Sequence, residues 1–114
     1  MEKITGEVIY GIQKGRTLGY PTANIKIETD IDLGIYAGYF IINGQKHVSA
    51  LYSPGNKLIE AFIFDFSENI YGQKVEIEFV KKIRDRQIFK NDAEAINQIS
   101  KDVAEIKRLL IDKI

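Results

Sequence analysis

The sequence contains no cysteine. That removes disulfide frameworks, zinc–thiolate sites, iron–sulfur ligation and thiol catalysis together. It contains one histidine, His47. A multi-histidine metal site within the chain is therefore impossible, and any Ser-His-Asp arrangement would rest on that residue. His47 reads as a strand surface residue rather than a base. Net charge is also missing: sixteen Lys and Arg balance sixteen Asp and Glu. Such a balance gives no electrostatic footprint for nucleic acid or an anionic membrane, so neither partner is expected. No run approaches the ~18 apolar residues of a membrane span. The opening residues, MEKITGEVIYG, have no long apolar stretch and no small-residue cleavage signal, so no secretory signal is expected and the expected location is cytoplasmic. There is no internal repeat, no low-complexity run and no Pro/Ser-rich linker.

What is present suffices for one core. The chain has 114 residues, 45% of them hydrophobic, with six Tyr and six Phe. A chain of this size buries roughly two-thirds of its extended surface on folding. A single domain over 1–114 is expected, with a barrel over about 1–90 and a helix over about 91–111. Strands are expected at Ile4–Tyr10, Ala23–Ile27, Ile35–Ile42, His47–Tyr52, Leu58–Phe66 and Val75–Phe79. Asn43-Gly44 suits a type I′ hairpin turn, because both positions tolerate positive φ. Ser53-Pro54-Gly55-Asn56 reads as a turn, as does Ser67–Gln73 around Tyr71-Gly72. Between Leu58 and Phe66 the alternation puts Ile59, Ala61, Ile63 and Asp65 on one face and Glu60, Phe62, Phe64 and Phe66 on the other. Asp65 is then either a buried acceptor or the point where the strand emerges. From residue 91 onward glycine, proline and aromatics disappear. Asn91 with Glu94 forms a capping-box pattern. Ala93, Ile96, Ile99, Val103, Ile106 and Leu110 recur at helical spacing, and Lys107 and Arg108 suit the negative end of the helix dipole. Six short strands and a terminal helix predict a mainly β fold, a small antiparallel barrel with a helix on its outside or across one mouth.

Two places carry unusual chemistry. Gly11, Gly15 and Gly19 fall within nine positions between two expected strands, with Arg16 among them. Glycine lets backbone N–H groups approach phosphate oxygens closely, and Arg16 would add fixed positive charge. Thr22 and Asn24 share a face of an extended strand, and their hard oxygens suit Mg²⁺ with phosphates and water completing the octahedron. A loop that merely turns accounts for the same residues. The segment is no Walker P-loop, since no Gly-Lys-Ser/Thr opens a helix. Glu60 interrupts an apolar run. It faces either solvent or a cleft, and in a cleft its raised pKa would suit a general base. Lys81, Lys82, Arg84 and Arg86 form a short basic run that reads as a solvated face.

These residues resemble the riboflavin kinase family, which occurs alone in eukaryotes and as the C-terminal half of bacterial bifunctional FAD synthetases. The matching blocks are Gly6-Glu7-Val8-Ile9-Tyr10-Gly11, the run from Gly15-Arg16 through Pro21-Thr22-Ala23-Asn24-Ile25, Gly34-Ile35-Tyr36-Ala37, and Glu60 to Phe66. Tyr71-Gly72 with Val75 to Phe79, Lys82 to Asp85 with Phe89, and Ile99 with Asp102 complete the series. The resemblance implies a six-stranded Greek-key barrel with a C-terminal helix. It implies transfer of the ATP γ-phosphate to the 5′-hydroxyl of riboflavin, giving FMN and ADP, with Mg²⁺ as cofactor and small molecules as the only partners of a monomer. It implies that Gly11, Gly15, Arg16, Gly19, Thr22 and Asn24 bind the nucleotide, that Thr22 and Asn24 also hold Mg²⁺, that Glu60 is the catalytic base, and that Arg84 and Phe89 lie by the flavin. FAD synthesis is not expected of these residues. Three positions depart from the family pattern: Leu51 to Asn56 is shorter than the usual loop and lacks its Asn and Pro-Thr, Arg86 replaces a glutamate, and Phe62 replaces a histidine. The alternative they raise is a weakly active or inactive flavin- or nucleotide-binding module of the same fold.

Overall fold

The computed structural model of the chain describes residues 2–9, 19–66 and 68–112. Six antiparallel strands close into a barrel, and one helix follows them. The strands are β1 (Glu2–Ile9), β2 (Ala23–Ile27), β3 (Gly34–Ile42), β4 (Gln45–Gly55), β5 (Leu58–Ile63) and β6 (Lys74–Arg84), and the helix is α1 (Asp92–Leu110). Around the barrel they run β1-β2-β5-β4-β3-β6, a Greek-key order in which closure leaves no open sheet edge.

Alternation along each strand divides the side chains between two apolar layers. Val8, Ile25, Ile27, Phe40, Leu51, Ile59, Ala61, Ile63, Val75, Ile77 and Phe79 point inward and fill the barrel. Ala37 and Phe64 form an outer layer under Ile106 of α1, flanked by Val48, Ala50, Phe62, Ile83, Val103, Leu109 and Leu110. The helix therefore lies on the outside of the barrel, over β3 and β4. At Gly38 the interior admits no Cβ. One built there would collide with the Glu78 backbone oxygen and stand 2.7 Å from Leu51 Cδ1.

Turn chemistry agrees with the sequence at Asn43-Gly44, where φ is 52° and 76°. It differs after β4. The expected turn at Ser53 to Asn56 is instead the end of a longer strand, and the hairpin turns on Asn56-Lys57 with φ of 58° and 55°. Proline is tolerated there because the register slips between Tyr52 and Gly55, a bulge where no ladder N–H is required. Ser53 is 1% exposed and donates its hydroxyl to the Ile31 carbonyl at 2.9 Å, so this stretch is fastened to the loop before β3. β5 ends at Ile63, earlier than expected. Asp65 has φ of 55° and is exposed, so it marks where the chain emerges. β6 runs on to Arg84 through two register shifts against β3.

Asn91 caps α1, accepting the Glu94 N–H at 3.0 Å, and Glu94 Oε1 accepts from Lys90 N at 3.1 Å. The helix buries Ala95, Asp102 and Ile106, whereas Ala93 and Ile96 are exposed. The buried stripe is thus turned from the expected one, because a carboxylate sits in its centre. No described helix is long and apolar enough to cross a membrane.

Candidate functional site

The register of the sheet assembles the site. Asn24 on β2 lies directly opposite Glu60 on β5, and Glu60 lies directly opposite Tyr52 on β4. Their neighbours Ile25, Ala61 and Leu51 fill the barrel. Asn24, Glu60 and Tyr52 therefore point outward, as one lateral row across three strands.

Thr22 Oγ1 and Asn24 Oδ1 are both buried and have no hydrogen-bond partner among the described residues. A buried polar oxygen without a partner costs about 1–3 kcal/mol, so two such oxygens two residues apart point to a ligand. Both are hard neutral donors, of the kind that suits Mg²⁺ when substrate phosphates supply the charge. No group of three or more His, Cys, Asp or Glu able to cage a metal exists among the described residues. The donor set thus fits a metal that arrives with phosphate rather than one held by carboxylates.

Glu60 is half-buried, and burial pushes its carboxyl above the ordinary value. Desolvation is its only cause, with no charged neighbour contributing. Such a group releases and regains a proton closer to neutrality than a surface glutamate does.

Upstream of this row, Tyr20 packs edge-on against Phe62 at 5.3 Å and shares a 2.8 Å hydrogen bond with Ser100 of α1. The segment leading into Thr22 is thereby tied to both β5 and the helix. Gly19 adopts φ of 86°, a conformation that favours glycine. Gly11, Gly15 and Arg16 lie outside the described residues.

On the other side of the helix, Arg84 binds Asp102 through two nitrogens. Its Nε donates to Oδ1 at 2.9 Å and its Nη2 donates to Oδ2 at 2.8 Å. Gln98 Nε2 adds a further bond to Oδ1 at 3.0 Å. The Phe89 ring lies 5.9 Å from the Arg84 guanidinium carbon. Arg84 therefore fastens the end of β6 to α1, with Phe89 beside it, while Arg86 is exposed. His47 is half-buried rather than on the surface. Its ring stands 4.9 Å from Phe66, and its Nε2 has no partner among the described residues.

Sequence reasoning missed two participants. Asp102 is an acid in the middle of an apolar helix stripe, and that mismatch was the available signal for a buried partner. Tyr52 carried no such signal, because the bulge at Ser53-Pro54 decides what it faces.

A closed Greek-key barrel with a phosphate-compatible strand beside a half-buried carboxylate defines a candidate phosphotransferase. The chain matches the Flavokinase (riboflavin kinase) family over residues 2–110 and belongs to that family. It is 37% identical to the bifunctional riboflavin kinase/FMN adenylyltransferase of Buchnera aphidicola, over 92% of this chain and 37% of that protein. The Haemophilus influenzae protein of the same description gives the same identity and coverage. The RNA-binding riboflavin kinase RibR of Bacillus subtilis is 34% identical over 91% of this chain and 49% of its own length. A solved structure described as a macrolide-efflux protein from Streptococcus pneumoniae superposes with a TM-score of 0.83 at 28% identity, over 92% of this chain and 38% of that one. The chain spans about 37% of the length of the bifunctional relatives.

Proposed function

We propose that this domain is a riboflavin kinase, transferring the ATP γ-phosphate to the ribityl 5′-hydroxyl of riboflavin to give FMN. The observation that carries the reading is the pairing of Asn24 with Glu60 in one outward row, beside two buried oxygens that lack partners. Thr22 and Asn24 would hold Mg²⁺ together with phosphate oxygens, and the ion would supply neutralisation of phosphate charge. Gly19, with Gly11, Gly15 and Arg16, would contact the nucleotide. Glu60 would accept the proton of the ribityl hydroxyl as its oxygen bonds to phosphorus and the bond to the ADP oxygen breaks. Phosphoryl transfer depends mainly on positioning and charge stabilisation, so a rigid barrel wall suits it. Phe89 and Arg84 would lie on the flavin side, with Arg84 acting through its grip on α1. The substrates are cytoplasmic metabolites, which fits a cytoplasmic monomer acting on small molecules.

The sign of the pH dependence follows from Glu60. Its base form exists above its raised pKa, so turnover should fall as pH drops through that value. The test is FMN formation from riboflavin, ATP and Mg²⁺, followed by chromatography, with Glu60→Gln as control. FMN that depends on Glu60 supports the reading, and a Glu60→Gln chain with full turnover refutes the base assignment.

A second reading is favoured by one observation. The tight Asn56-Lys57 turn leaves no loop after β4 to close over an acceptor. A flavin- or nucleotide-binding module without turnover would fit that geometry. Binding of FMN or ADP by a folded chain that forms no FMN would select it.

A further inference from the structure

Glu60 has two cross-strand neighbours, and they differ in chemistry. Asn24 stands on the β2 side, next to the oxygens assigned to metal and phosphate, and Tyr52 stands on the β4 side. In-line transfer needs the attacking and leaving oxygens on opposite sides of the phosphorus. With the donor phosphates on the Asn24 side, the acceptor approaches from the Tyr52 side. We propose that Tyr52 is a positioning residue for the acceptor, its hydroxyl holding the alcohol that Glu60 deprotonates. This rests on the kinase reading for the identity of the acceptor.

Several features of the fold support this role. Directly opposed residues of an antiparallel pair bring their Cβ atoms within about 4.5–5.5 Å, so the Tyr52 side chain leaves the sheet beside that of Glu60. Tyr52 is half-buried, and its hydroxyl enters no hydrogen bond among the described residues. A phenol both donates and accepts, so it can serve an alcohol in either sense. The bulge between Tyr52 and Gly55 creates the pairing. Paired without that slip, the same residues counted back from Gly55 opposite Leu58 would put Ser53 opposite Glu60. On the same outward face, β4 contributes Ala50 and Tyr52 and β2 contributes Asn24 and Lys26, with Thr22 just before it. The one charge among these, Lys26, is exposed.

The test uses the full chain as wild type and Tyr52→Phe. In steady-state assays Tyr52→Phe should raise the riboflavin KM about 3- to 10-fold, the worth of one neutral hydrogen bond, with the ATP KM unchanged. An unchanged riboflavin KM in Tyr52→Phe, or equal losses for riboflavin and ATP, would overturn the hydroxyl's role. If the wild-type chain neither bound riboflavin nor formed FMN, the kinase reading would fail and the acceptor role with it.

Discussion

Replacing Asp102 with alanine would strand the Arg84 guanidinium against α1. The carboxylate is 5% exposed and its partner 17%, and three donor nitrogens converge on it: Arg84 Nε, Arg84 Nη2 and Gln98 Nε2. Removing one member of a buried ion pair costs about 3–5 kcal/mol, because the other charge stays buried without compensation. Arg84 keeps some solvent and a 3.1 Å bond from Nη1 to the Asp85 carbonyl, which argues for the lower end, about 3 kcal/mol. In a chain of this length that corresponds to a fall in Tm of roughly 10–15 °C. Asp102→Asn retains one acceptor and should cost about half as much, since hydrogen bonds to charged groups are worth about 1.5–3 kcal/mol. The assay is urea denaturation of Asp102→Ala, Arg84→Ala and the double variant, closed as a thermodynamic cycle. A coupling of about 2 kcal/mol is expected for residues in such contact. If the single variants lost under about 0.5 kcal/mol each and added without coupling, the pair would be an exposed contact of little worth and the reasoning would fail.

Glu60→Gln should abolish FMN formation yet stabilise the fold. The folded pKa of Glu60 is raised, so the glutamate contributes stability below its unfolded value and loses it as pH rises through the folded one. The variant's advantage should therefore appear in thermal melts near neutrality and vanish in acid. Gly38→Ala should lose about 3 kcal/mol or fail to fold, because the new methyl meets a strand backbone oxygen that cannot move without breaking the β3–β6 ladder. An unchanged urea midpoint for that variant would contradict the packing at Gly38. Asn91→Ala should lose about 1 kcal/mol as the Glu94 N–H loses its acceptor, measured by the same denaturation.

Much of the barrel was legible because local signals and tertiary environment agree. Asn43-Gly44 could do little else between two apolar runs, and its φ values are those of the expected turn. Val75, Ile77 and Phe79 alternate with glutamates, and all three lie in the barrel. Legibility failed where tertiary contacts overrode local propensity. Ser53-Pro54-Gly55 has the composition of a turn. The chain nevertheless continues as strand, because Ser53 gains a buried hydrogen bond to the loop before β3 and a bulge accommodates the proline. The buried helix stripe is turned from the apolar one because Asp102 takes a place on it. Its partner lies at the end of β6, eighteen residues back, and periodicity within the helix carries no trace of it.

The candidate site shows the same division. Thr22 and Asn24 share an outward face by the two-residue period of a strand, which a sequence displays directly. That Asn24 faces Glu60 is a statement about register between β2 and β5, which are separated by two other strands in sequence. Local pattern cannot supply it. On the β4 side the dependence is stronger still, since a one-residue slip of register at the bulge exchanges a serine for a tyrosine opposite Glu60. Deleting Pro54 takes out the extra residue while Gly55 stays opposite Leu58, so Ser53 moves opposite Ile59 and Tyr52 stays opposite Glu60. If the Tyr52 ring is what desolvates the carboxyl, the Glu60 midpoint should stay raised in the folded deletion variant. A midpoint that fell to that of an exposed glutamate would mean that the desolvation comes from the bulged segment rather than from the ring.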